Sequence, residues 1–139
     1  MIKLRTITLA SVLALAATSG IASATDYQKL RDDKRMHNEL LGASIAYLID
    51  ESCSSLKLRK FRLLNKAFAL RSHAVGLGYS TKEVLAYVDS KAEQDRFRAI
   101  AEPMLKKRGA KPGVEESYCA IGRENMEKGT FSGSLLTEG

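Results

Sequence analysis

Four stretches of the chain place apolar residues at helical spacing. Between about Asp33 and Glu51 the apolar positions fall in two groups: Met36, Leu40, Ala43 and Tyr47, then Leu41, Ile45 and Leu48. Asp32 and Asp33 stand where carboxylates cap free amides at a helix start. The next stretch, Leu56 to Val75, carries two apolar faces, with Ser54 or Ser55 as its cap. Phe61, Leu64, Phe68 and Val75 cluster on one face, and Leu56, Leu63, Ala67, Leu70 and Ala74 on the other. Arg59, Arg62, Lys66 and His73 share the remaining arc. Two apolar faces call for two partners, so this helix is expected at the centre of the fold, with only its basic edge wet.

Gly76 or Gly78 is expected to stop that helix in a left-handed conformation, and Ser80 with Glu83 has capping-box spacing for the next. The third helix is expected from Thr81 to about Arg108. Its early apolar face (Val84, Leu85, Val88, Ala92) does not line up with its later one (Phe97, Ile100, Ala101, Met104). A break or kink is therefore expected, near Glu93 to Arg96 or before Pro103. A fourth helix, about Val114 to Lys128, opens on Glu115 and Glu116, and a short turn in the tail packs Phe131, Leu135 and Leu136. No alternating run is long enough for a sheet. The pattern predicts an all-α fold, a compact bundle of four to five helices with one long-range disulfide.

The first 24 residues change the picture. A basic start (Lys3, Arg5), an apolar run from Leu9 to Ala17 and the ending Ala22-Ser23-Ala24 make up a secretory signal peptide. The apolar run is too short to span a bilayer, which takes about 20 residues. Cleavage after Ala24 would leave a single helical domain over residues 25–139, with the formal charge reduced from +6 to +4. That domain is expected in the periplasm or outside the cell. Its mild basic balance suits an anionic partner or membrane face.

Export bears directly on the two cysteines. Cys53 and Cys119 are expected to form one disulfide, because an oxidising compartment favours pairing and no third thiol is left over. Free thiols and a metal site are the alternatives, but no Cys-x-x-Cys motif is present and no histidine lies close to Cys53. His37 and His73 are too far apart for a helical ligand pair, so no metal is expected. The turn Gly76-Leu77-Gly78 is weak as a phosphate cradle, with no strand before it and no Lys-Ser/Thr pair.

The basic edge, Arg59, Arg62, Lys66 and His73, is the candidate contact for a partner, against the ordinary reading of a solvated face. Phe61 and Phe68 are not interleaved with those charges, which argues against nucleic acid as the partner. The carboxylates sit at helix starts or alternate with cations, and no Gly-x-Ser-x-Gly motif occurs. No catalytic or cofactor-binding residue is therefore assigned.

Several landmarks in fixed order carry a resemblance. They are the signal segment, "LRDD", the Cys53-Ser54 pair, "GLGYSTKEVLAYVDSKAEQDRFR", and "ESYCAIGRE" followed by "KGTFSGSLL". Together they resemble a family of small exported alphaproteobacterial proteins classed only as a domain of unknown function. The resemblance implies a helical fold and a periplasmic address, and no activity. Size, compartment and cysteine count also match small periplasmic acid-stress chaperones, but no motif does. The expectation is a non-enzymatic binding or envelope-associated protein whose partner is a protein or an envelope component. The alternatives are a chaperone-like stress protein and an unrecognised hydrolase or enzyme inhibitor.

Overall fold

A computed structural model describes residues 24–139; the expected signal segment lies outside them except for Ala24. The described residues form seven helices and two short strands. Helix α1 (Gln28–Asp32) precedes the first stretch of helical periodicity, and its Leu30 is fully buried in the core. Helix α2 (Lys34–Ser52) follows at once. Asp33 is its N-cap, its carboxylate accepting the Met36 amide at 2.8 Å.

The first correction concerns the segment after Cys53. Leu56 does not begin a helix. Strand β1 (Leu56–Leu58) pairs antiparallel with β2 (Leu136–Glu138), Leu56 opposite Glu138. Helix α3 (Lys60–Gly76) starts only afterwards, and neither Ser54 nor Ser55 caps it. Three-residue strands whose partners lie some 80 positions apart leave no alternating signature.

The third expected helix is two. Helix α4 (Thr81–Asp89) opens on the complete Ser80–Glu83 capping box and ends at Ser90. Ser90 then caps α5 (Lys91–Lys107), its hydroxyl accepting the Glu93 amide. The break thus falls a turn earlier than expected. It also explains the mismatch of apolar faces, since each helix has its own. Pro103 stays inside α5 without ending it. Helix α6 (Glu115–Glu127) and the short α7 (Phe131–Ser134) complete the chain. Gly78 takes positive φ after α3, and Gly129 does so after α6.

The central helix is α2, not α3. It touches α1, α3, β1, α5, α6 and α7, whereas α3 meets chiefly α2 and α4. One core cluster gathers the second half of α2 with α5, α6, the tail and both cysteines. The other joins Leu30 and Met36 to Leu70, Ala74, Val84 and Tyr87. Cys53 and Cys119 are disulfide-bonded and nearly fully buried, fastening the end of α2 to α6. The bond spans 66 positions and is worth about 4 kcal/mol on the loop-entropy account. At Gly133 a Cβ would stand 2.0 Å from the Asn125 carbonyl oxygen, so α7 lies directly on the α6 backbone.

A candidate binding face on helix α3

Only one of the two apolar faces of α3 is covered. Leu70 and Ala74 are buried against α1, α2 and α4, and Leu63 packs at the edge of the disulfide cluster. The other face is open to solvent: Phe61 is 86% exposed, Leu64 49%, Phe68 47% and Val75 41%. At 3.6 residues per turn these four side chains fall within an arc of about 60°. Lys60 and Arg71 border that arc along one edge, while Asn65 and Ser72 follow it on the other side and Arg62 and Lys66 lie about 100° and 140° round the helix from Phe61. The Arg71 guanidinium lies 4.9 Å from the Phe68 ring centroid, and the Lys66 ammonium 5.7 Å from that of Phe131.

Beside α3 runs an apolar groove of about 320 Å³. Met36, Leu40 and Ala43 of α2 form its floor, and Leu64, Phe68 and Leu85 stand at its sides. Ala67 remains exposed although it lies on the side of α3 that sequence periodicity assigns to the core, so the middle of the helix stands off the body. Glu39 also lines this groove. Its Oε1 accepts from Arg35 at 2.8 Å, and its Oε2 is the one buried side-chain oxygen or nitrogen without a partner among the described residues.

Charge separates this region from the rest of the chain. Residues 52–82 contain seven of the 22 Lys and Arg residues and none of the 16 carboxylates. Lys3 and Arg5 lie at the N-terminus, leaving thirteen elsewhere against all sixteen carboxylates. None of Lys57, Arg59, Lys60, Arg62, Lys66 or Arg71 makes an ion pair among the described residues. Elsewhere eight of the sixteen carboxylates are in ion pairs. Glu93, nearly buried, accepts from both Arg31 and Arg96. Burial pushes its carboxyl up, but the two guanidinium hydrogen bonds outweigh this and hold it below the ordinary carboxylate range. Arg96 also donates to the Tyr87 hydroxyl, whose pKa burial raises.

The sequence-predicted basic edge is therefore only partly what the structure shows. Arg59, Arg62 and Lys66 are exposed, as expected of a wet arc. His73 leaves the group: its Nε2 lies 2.9 Å from Asp33 Oδ1, tying α3 to the start of α2. The Met36 amide and then His73 hold the Asp33 carboxyl below its usual range. Arg71, Lys60 and Lys57 were not singled out from the sequence. The absence of any acid from Ser52 to Lys82 was the available signal for them.

Other candidates resolve into structure. His37 packs its ring 5.8 Å from that of Phe97. Cys53, Glu115 and Cys119 bring possible ligand atoms within 4.8 Å of one another, but the two sulfurs are bonded together. Glu115 accepts from the Ser54 amide and hydroxyl, which lowers its pKa. A second cleft, about 530 Å³ between α2, α4 and α5, is lined by Tyr47, Glu51, Asp89 and Arg98. Its Arg98 is already held by Glu51 and Glu102. No helix among the described residues is long and apolar enough to cross a membrane.

Fold and face together define a small disulfide-bonded helical protein with one uncovered apolar and basic helix face. The chain belongs to the family of unknown function DUF5333, whose model matches residues 28–137. That match takes in every described helix, so the exposed face of α3 lies within the matched region. No curated protein and no solved structure matches the chain.

Proposed function

We propose that this protein is a non-enzymatic binding protein of the cell envelope, exported by its N-terminal segment, and that the outer face of α3 is its working surface. A single observation carries the reading. A helix with nine apolar residues leaves six of them exposed, four in one strip, Phe61, Leu64, Phe68 and Val75, with Phe61 at 86%. Exposed apolar patches that persist on a folded chain mark interaction sites. The buried disulfide supports an oxidising address outside the cytoplasm. The segment ending at Ala24 has the composition of a secretory signal.

Site-specific photo-crosslinking in intact cells tests this. A photoreactive residue at position 61 should yield discrete adducts, protein or lipid, which are absent when it stands at the exposed Ala120 of α6. Equal labelling at the two positions, or none at 61, would overturn the assignment of the face.

A further inference from the structure

We propose that α3 anchors this protein to the surface of an anionic phospholipid leaflet, lying in the interface with Phe61, Leu64 and Phe68 at the acyl boundary and Lys60 and Arg71 at the headgroup phosphates. This rests on reading the outer face of α3 as the working surface and names what covers it. The apolar strip runs along the outside of the helix, with Lys60 and Arg71 on one of its long edges and the polar Asn65 and Ser72 on the other. That is the arrangement of a helix lying in a bilayer interface, where apolar side chains sink and Lys and Arg stems reach back to the phosphates.

Charge decides among the occupants. A second copy of this chain packed face to face would oppose two acid-free surfaces of residues 52–82, so a symmetric dimer through α3 is repelled. A protein partner would need a dense acidic surface, and it would have to desolvate lysines, which are depleted at protein–protein interfaces. An anionic leaflet supplies diffuse negative charge and an apolar layer at once, matching both components of the strip. Outside residues 52–82, residues 25–139 carry thirteen cations against sixteen carboxylates. The same field that draws α3 inward therefore turns the opposite side outward.

Vesicle co-sedimentation of residues 25–139, which contain every described helix and strand, tests the proposal. The chain should bind vesicles of mixed phosphatidylglycerol and phosphatidylcholine, lose affinity as salt rises, and ignore phosphatidylcholine alone. Lys60→Gln with Arg71→Gln should weaken binding by about fivefold per cation removed. Phe61→Ser should weaken it by about tenfold, with an unchanged thermal melt because the ring is exposed. No binding to anionic vesicles, equal binding to both vesicle types, or a Phe61→Ser variant that binds normally would overturn it. If vesicles fail while position 61 still crosslinks to an envelope protein, the lipid assignment falls and the working face stands. If both fail, both fall.

Discussion

Helices α2 and α3 are nearly equal in length, at 19 and 17 residues, and each contains nine apolar side chains. In α2 only Tyr47 of the nine is exposed; in α3 six are. Apolar content therefore says little about how much a helix gives to the core. Position decides it. Helix α2 is fenced by other elements along its length, and Gly42 and Gly122 let Phe131, Ile49 and Leu56 close in around it. Among the described residues no element covers the outer side of α3, so Phe61, at 86% exposed, adds little to folding.

The contrast is sharpest in side-chain truncation. Ile49→Ala, in the fully buried centre of α2, should cost about 3 kcal/mol in chemical denaturation, because a buried aliphatic is lost and a cavity remains. A loss under about 1 kcal/mol would mean that α2 is not the hub. Of intermediate size is Asp33→Ala, which removes both the cap of α2 and the link to His73 on α3. It should cost about 1 kcal/mol at neutral pH. Because the folded-state pKa of Asp33 is depressed, this stabilisation is full above the unfolded carboxyl pKa of about 3.9 and is lost as pH falls through the folded value. Wild type and variant should therefore converge in acid, and a gap that persisted there would assign the effect to packing. The smallest effect belongs to the outer face. Phe61→Ser should shift stability by less than about 0.5 kcal/mol, and a larger loss would show that the ring is part of the core.

Much of this was legible in the sequence, and the failures share a cause. Capping chemistry is local, so Asp33 and the Ser80–Glu83 box stood out directly. Ser90 with Glu93 has the same spacing and went unread, because Asp89, Glu93 and Asp95 looked like an ordinary charged surface beside Lys91 and Arg96. The Cys53–Cys119 bond followed from cysteine number and compartment and needed no geometry. Periodicity put Phe61, Leu64, Phe68 and Val75 together on what is the open face, but the inner face it assigned included Leu56, which lies in β1, and Ala67, which is exposed. It could not say what covers each face, since that depends on where distant elements land. The same limit hid the β1–β2 pairing and placed α3 at the centre in error. The basic edge survived with altered membership, His73 being drawn inward by Asp33, a residue 40 positions away.

The burial of the disulfide has a kinetic consequence. Cys53 and Cys119 expose 1% and 2% of their surface, and reduction requires a thiolate to approach a sulfur in line. A reductant thus meets the bond only in molecules that have opened around α2 and α6. Once the fold has closed over it, the bond behaves as a latch, and the rate at which it is reduced is a clock for how often that half of the molecule comes apart.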